Sequence, residues 1–552
     1  MESPSRNWWR SGAPWISLHG TAVAACILLA GGLLALIMVR GLAFFWPTQV
    51  QEIIYLEPDG VESRIVGQIH GVEHVDSGRL ADEGSDAGTV IERVLVKTGN
   101  RDIAGQDFRL LRGDRILRQS APLSLVALER LEWGVFFGQV VGLRSYGSLL
   151  PSSDVWADFQ SMIGRARYLR EEARELERGP IADINYRLEQ LRLEEREREL
   201  DGDPDPVAAA AAASERRALQ ERYRGLESQL LAIEEQLNRD HVIVRISRDA
   251  SNDREMPLRS IIDAWRPNDM SLLSRFGHFF RKFGSFITDE PREANTEGGI
   301  YPALFGTVLM VLLMTVFVAP LGVVAGVYLT EYARQGLLTR FVRISVNNLA
   351  GVPSIVYGVF GLGFFVYTVG GGIDRLFYEE ALPSPTFGTG GLLWASLTLA
   401  LLTLPVVIVT TEEGLARIPR SLREASLALG ATRWETLWRT VLPMASPAIM
   451  TGLILSIARA AGEVAPLMLV GVVKLAPSVP LDGNFPYLHL ERKFMHLGFH
   501  IYDVGFQSPN IEAARPLVYA TAFLLVAVIV LLNLAAIHVR NNLRERFRGV
   551  EV

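Results

Sequence analysis

Hydrophobic and polar positions follow three different patterns along the 552 residues. The first is an unbroken apolar one: residues 298–330 and 381–411 run for 33 and 31 positions without a charged side chain. About 20 apolar residues at ~1.5 Å each cross a bilayer core, so such runs predict membrane-spanning helices. Six spans are predicted, at about 15–39, 301–330, 348–369, 391–410, 448–473 and 516–539. The first is longer than the ~7–15-residue apolar core of a cleaved signal peptide. It is followed by Arg40 and then Phe44-Phe45-Trp46-Pro47, an interfacial aromatic belt, and is read as a retained helix.

The second pattern is alternation with period two, which predicts strands at 51–72, 90–98, 107–116 and 241–246; Glu92-Arg93-Val94-Leu95-Val96-Lys97 is an example. The third is a heptad. Leu219, Tyr223, Leu226, Leu230, Ile233 and Leu237 step by 4, 3, 4, 3 and 4. Ile184, Leu188 and Leu191, in a charged run that reaches Leu200, predict a partner helix. The breaker Asp201-Gly202-Asp203-Pro204-Asp205-Pro206 separates the two, so an antiparallel hairpin is expected at about 155–239. Its second arm would be roughly 50 Å long at ~1.5 Å per residue. The hairpin reads either as a docking arm for another protein or as a self-packed spacer with a solvated charged face, and the spacer is favoured. Phe276, Phe279, Phe280, Phe283 and Phe286, interleaved with Arg275, Arg281 and Lys282, predict an amphipathic helix on the membrane surface ahead of span two.

Charge then narrows the function. Basic residues number 55 and acidic ones 61, a net charge of −6, which argues against a general nucleic-acid binder. The apolar runs exclude a purely soluble enzyme. Cys26 is the only cysteine, so an intrachain disulfide or a cysteine-based metal or catalytic cluster is excluded. With the N-terminus cytoplasmic, the cytoplasmic segments carry 14 Lys and Arg and the short outer loops carry 5. That distribution fits the positive-inside rule. By parity, 49–297 then lies outside the membrane, in the periplasm.

The loop between spans four and five reads Ser421-Leu422-Arg423-Glu424-Ala425-Ser426-Leu427-Ala428-Leu429-Gly430-Ala431-Thr432-Arg433-Trp434-Glu435-Thr436-Leu437-Trp438-Arg439-Thr440-Val441-Leu442-Pro443. It predicts two short amphipathic helices that meet at Gly430, with Pro443 ending the second. Span five contains Arg459, Gly462 and Glu463 in an apolar setting. Four residues apart, Arg459 and Glu463 are expected on one helix face. Ionisable groups inside a span mark function by default, although a mutually neutralising structural pair is the other reading.

Glu424-Ala425, Gly430 and Leu442-Pro443 resemble the coupling-loop signature of ABC importer permeases. The resemblance covers about 298–545. It implies that Arg423, Glu424, Ala425, Gly430, Leu442 and Pro443 engage a cytoplasmic ATPase. The chain has no G-x-x-x-x-G-K-[ST] phosphate loop, which agrees with ATP being bound by a separate subunit. Arg459-Ala460-Ala461-Gly462-Glu463-Val464-Ala465-Pro466-Leu467 resembles the corresponding span of phosphate importer permeases of the PstA type. So do Val352-Pro353-Ser354-Ile355-Val356-Tyr357-Gly358 and Thr410-Thr411-Glu412. The chain has Val409 where that family often has arginine, so Glu412 is expected to pair with Arg417 or Arg423 instead.

The expected architecture is mostly α: a six-span helical permease with a large extracytoplasmic α+β insertion. The segments are an N-terminal transmembrane helix at 1–48, the insertion at 49–297, the permease domain at 298–545 and a coupling loop at 411–447. The resemblance implies phosphate import across the cell inner membrane. Its implied partners are a second permease, cytoplasmic ATP-binding subunits, an extracytoplasmic phosphate-binding protein and membrane lipid. Arg459, Glu463 and Gly462 are the expected substrate path; no enzyme activity, metal or cofactor is expected. The nine histidines show no ligand spacing, and metal binding by His489, His496 and His500 in the last outer loop is the disfavoured reading. The competing readings are a permease for another oxyanion (phosphonate, sulfate or molybdate), a membrane-anchored sensor and an intramembrane enzyme. The cytoplasmic stretches are too short for a sensor's output module, and neither H-E-x-x-H nor G-x-S-x-G is present.

Overall fold

The computed structural model describes residues 12–76, 90–99, 102, 105–202, 205–246, 253–508 and 511–547. Among them, six helices are long and apolar enough to cross a membrane: Pro14–Ala43, Tyr301–Tyr332, Ser354–Phe377, Leu392–Ala416, Arg433–Gly462 and Ala514–Asn542. They are spans one to six in chain order. The expected six-span architecture with an α+β insertion is what the chain adopts, although two spans differ from the reading above. Span three begins at Ser354, because Asn348 belongs to a separate helix, Leu337–Leu349, and Pro353 ends the turn between them. Gly370-Gly371-Gly372 lies inside that span, at the end of a stretch of widened turns, Gly361–Gly370. Span five starts at Arg433, well before position 448, and its helix stops at Gly462.

Spans two, four and five build the bundle core around Met310, Met314, Leu399, Val407 and Leu453. Gly322 and Gly326 let span two approach span four. A Cβ at these positions would meet Val407 at 2.5 Å and Thr411 at 2.8 Å. Span one packs on span six, with Gly41 against the Tyr519 carbonyl.

The inserted domain holds two antiparallel sheets. The first comprises β1 (Gln51–Leu56), β2 (Glu62–Asp76), β3 (Val90–Lys97), β4 (Phe108–Arg112) and β5 (Ile116–Ser120), in the order β4-β3-β2-β1-β5. The second comprises β6 (Val126–Arg130), β7 (Val135–Ser145), β8 (Ser148–Leu149), β9 (Asp240–Arg245), β10 (Arg254–Pro257) and β11 (Ile261–Trp265). Its order is β10-β9-β7-β6-β11, with β8 on β7. β9 buries Asp240, Val242 and Val244 alternately, as its sequence predicts. β6 buries Val126, Ala127 and Leu128 in a row, so alternation could not reveal it.

The hairpin interrupts the second sheet. Asp154 caps α1 (Val155–Leu176), which continues through a widened turn at Glu177–Ile181 into α2 (Ala182–Asp201). Gly202, at φ 67°, ends this arm. The breaker's Asp203-Pro204 lies outside the described residues. Asp205 caps α3 (Pro206–Asn238), accepting the Val207 N–H at 2.9 Å. Ile233 and Leu237 enter the domain core with Phe159 and Ile163, so the base of the hairpin is part of the domain. α2 also leans on the permease loops, where the Tyr186 hydroxyl donates to the Phe485 carbonyl at 2.5 Å.

α4 (Leu272–Thr288) leads toward span two. An ionic cluster fastens the domain to α4 and to the segment after it. Lys282 pairs with Glu129 and lies 2.9 Å from Asp263, and Arg292 lies 2.5 Å from Glu129. Burial alone would raise the Glu129 carboxyl, but Lys282 and Arg292 outweigh it and hold it down to about 2.

Candidate functional site

The break in span five sits at mid-bundle. Its position follows from close approaches to span four, which runs from Leu392 at the end nearest the inserted domain to Ala416 at the far end. Gly414 faces Ala448, and Gly452 faces Thr410. At the other end, Gly390 and Gly391 face Val470 and Gly471, with φ +154° at Gly471. Arg459 and Glu463 fall between these two levels.

The helix ends there for local reasons. Pro466 has no N–H to offer and disfavours helical backbone at Ala465. Glu463 is extended, at φ −79° and ψ 133°, and its N–H closes back on the Ala460 carbonyl at 3.2 Å. A short helix, Leu467–Val470, resumes after Pro466. Arg459 and Glu463 are therefore not on one continuous helix face, contrary to expectation. They still meet: Arg459 Nε lies 3.5 Å from Glu463 Oε1.

That separation is longer than a charge-assisted hydrogen bond of about 2.8 Å. The Arg459 side chain is 38% exposed and Glu463 20%. Among the described residues, no hydrogen bond of the Arg459 Nη groups is formed. Arg459 also occupies the last helical turn, where the free carbonyls favour a cation. It lies on an exposed stripe with Thr451, Leu455 and Gly462, so the open fork faces out of the chain. Tyr357 of span three stands within electrostatic reach, its hydroxyl donating to the Leu349 carbonyl at 2.7 Å. A planar, partly free guanidinium of this kind can take an oxyanion in bidentate fashion.

The second place is the loop at the far end of the bundle. Arg420–Ala428 is helical and ends at Gly430, whose φ is +89°. Thr432 and Glu435 form a reciprocal capping box that starts the next helix. Pro443 does not end that helix. It lies in the first turn after a widened stretch, Leu437–Val441, and the helix passes on into span five. With no N–H to give to the preceding turn, it is accommodated next to those widened turns. Glu424 and Ala425 are exposed, whereas Arg423, Leu442 and Pro443 are half-buried. Leu429 is 90% exposed, and the stacked rings of Trp434 and Trp438, 5.8 Å apart, are exposed as well, apolar surface that sequence reasoning did not single out.

Residues 319–549 match the family described as binding-protein-dependent transport system inner membrane component. The phosphate transport system permease protein PstA 1 of Mycobacterium tuberculosis is 38% identical over 247 residues, 44% of this chain and 71% of that relative. PstA of Yersinia pestis is 35% identical over 250 residues, 45% and 74% of the two chains. A probable ABC transporter permease of Bacillus subtilis is 33% identical over 256 residues, 46% and 81%. The chain belongs to the ABC importer permease family. Such permeases are multi-pass membrane subunits, not enzymes themselves, and membership implies ATPase, binding-protein and second-permease partners.

Two ion pairs brace the permease at the far end of its bundle. Arg423 Nη2 lies 2.8 Å from Glu331 Oε1, and the same guanidinium donates to the Ile418 and Leu415 carbonyls at 2.7 and 2.9 Å. Arg343 Nε lies 3.0 Å from Glu412 Oε1. The expected pairing of Glu412 with Arg417 or Arg423 is therefore wrong: Arg343 takes the place opposite Glu412, and no ion pair of Arg417 is formed among the described residues. At the other end, Asp374 is buried and accepts the Phe387 and Gly388 N–H groups at 2.8 and 2.7 Å. His489 is held between Asp482 and Glu491, at 2.9 and 3.1 Å. No group of three His, Cys, Asp or Glu residues among those described is arranged to hold a metal.

Proposed function

We propose that the permease carries phosphate inward, driven by cytoplasmic ATPase subunits. The observation that carries this reading is the open Arg459 guanidinium at the mid-bundle break. Phosphate crossing an apolar path faces a desolvation penalty of several kcal/mol even after relaxation. Guanidinium N–H groups replace lost water with two directed, charge-assisted bonds. Glu463 and the free helix carbonyls weaken the net attraction, so the anion is passed on and not retained. Gly462, with no heavy atom within 4 Å of a Cβ placed on it, leaves space beside the fork. Relatives named for phosphate transport support the choice of oxyanion.

In this reading the exposed stripe through Arg459 faces a second, homologous permease, and the path forms between the two. The loop at 421–443 seats in the ATPase, with Glu424, Ala425 and Gly430 on the docking side and Arg423 bracing it to Glu331. The 49–297 domain faces the periplasm, where a phosphate-binding protein delivers substrate to the loops. The test is uptake of labelled phosphate against labelled sulfate by the assembled complex in proteoliposomes. ATP-dependent uptake of phosphate with sulfate excluded is expected. Equal uptake of sulfate, or sulfate uptake alone, overturns the substrate assignment.

A further inference from the structure

Helix α4 turns three faces to three different surroundings. One meets the inserted domain: the His278 ring lies 4.7 Å from Trp265, and Lys282 sits over the same indole and against Asp263. A second meets the end of span one, where the Phe45 ring is 6.1, 5.3 and 5.2 Å from Phe279, Phe283 and Phe286. The third carries Leu272, Leu273, Phe276 and Phe280, which fall within about a third of a turn at ~3.6 residues per turn. Leu273 is 84% exposed and Phe280 66%. Gly277 and Gly284 lie on the same side, with nothing within 4 Å of where a Cβ would stand.

We propose that this third face is buried in the bilayer leaflet on the side of the 49–297 domain, making α4 a lipid anchor for that domain. Depth identifies lipid as the occupant. Trp46 stands three residues beyond the end of span one, and its ring lies 5.2 Å from Phe276. At the other end, the Phe286 carbonyl accepts the Ile300 N–H at 2.8 Å, one residue before span two begins. Phe286, Ile300 and Ala303 share one buried cluster with Phe45. Both ends of α4 are thus pinned where a span leaves the apolar layer.

The anchor is stiff. Lys282 bridges α4 to β6 and β11 through Glu129 and Asp263, and Arg292 adds a second tie to Glu129. Sinking α4 into the leaflet therefore sets the height of the whole domain, including α2, whose Tyr186 touches the loop before span six.

The test uses the full chain in phosphatidylcholine vesicles, with Cys26→Ser to remove the one native thiol. Phe280→Cys and Leu273→Cys, two turns apart, each carry a polarity-sensitive fluorophore. Tyr146→Cys is the aqueous reference. Tyr146 is 81% exposed at the far end of β7. β7 begins two residues after Trp133 and is roughly 35 Å long at ~3.3 Å per residue. The Trp133 N–H bonds Glu293 next to span two. Nitroxide lipids labelled at a shallow acyl position are expected to quench the Phe280 and Leu273 probes at least about fivefold more strongly than the Tyr146 probe, with aqueous iodide showing the reverse order. Either α4 site suffices, so failure of one variant to assemble leaves the other as the reading. Iodide quenching at the α4 sites equal to that at Tyr146, without lipid quenching, overturns the proposal.

Discussion

Replacing Gly430 isolates what its backbone contributes from what its surroundings contribute. No heavy atom lies within 4 Å of where a Cβ would be, so Gly430→Ala meets no clash. The penalty is conformational: at φ +89° an L-residue costs about 1–2 kcal/mol. A shift of that size changes the ratio of the native turn to its alternatives by roughly 5- to 30-fold. The turn has its own supports. These are the Gly430 N–H on the Leu427 carbonyl at 3.0 Å, the Ser426–Thr436 hydroxyl contact at 2.9 Å, and the Thr432–Glu435 capping box. Gly430→Ala is therefore expected to slow ATP-driven uptake several-fold and not to abolish it. Gly430→Asn should do better, because asparagine tolerates left-handed backbone. Gly430→Leu adds both strain and bulk beside exposed Leu429, on the face assigned to the ATPase, so uptake should vanish while the subunit remains in the membrane. The assay is uptake by the reconstituted complex, scored with the amount of ATPase that co-purifies. A leucine variant with normal ATP-driven uptake would refute the coupling assignment. Asparagine no better than alanine would refute the backbone argument.

Arg423→Ala removes a guanidinium from two carbonyls and from Glu331, a loss of about 2–3 kcal/mol for charged hydrogen bonds, and should loosen the 421–443 loop to protease and slow uptake. Arg423→Lys should recover only part of this, since an ammonium cannot span all three acceptors. The Glu297 carboxyl is pushed up to about 7 by burial, with Glu293 and Glu129 adding to the rise and Lys97 and Arg292 opposing it. Its folded value lies above the ordinary 4.5, so its stabilising effect is full below about pH 4.5 and is lost as pH rises through about 7. Thermal unfolding of the detergent-solubilised chain should fall across that window, and Glu297→Gln should flatten it; an unchanged slope in the variant contradicts the assignment. Glu129, held down to about 2, works the other way and loses its contribution only in strong acid. Protease added outside intact spheroplasts should cut the hairpin near positions 201–206, and cleavage only after the membrane is opened would contradict the periplasmic placement.

The sequence made the spans legible because long uncharged runs have few alternative explanations. The strands β3 and β9 were legible because buried and less buried residues alternate along them, as at Val94 and Val96 and at Val242 and Val244. β6 was hidden for the opposite reason, being buried on both faces. The break after Gly462 was invisible because Val464, Ala465 and Leu467 continue the apolar run, and only Pro466 hinted at it. Pro443 misled because a proline near a helix boundary reads equally as a stop or as a start. The ion pairs were missed because Glu331 lies 92 residues from Arg423 and Arg343 lies 69 from Glu412. Pairing of that range is a property of the packed bundle, whereas the sequence offered only near neighbours.

The most direct test of Arg459 on the substrate path is the initial rate of ATP-driven labelled phosphate uptake by complexes carrying Arg459→Ala together with Glu463→Gln. If the two side chains only neutralise each other, removing both leaves no stranded charge and uptake recovers. If Arg459 contacts the anion, the double variant still lacks the guanidinium fork, and its rate stays as low as that of Arg459→Ala alone. This second result is expected, with Arg459→Lys retaining partial activity because it keeps the charge and loses the fork. Near-normal phosphate uptake by the double variant would contradict it and make Arg459 a packing residue of the bundle.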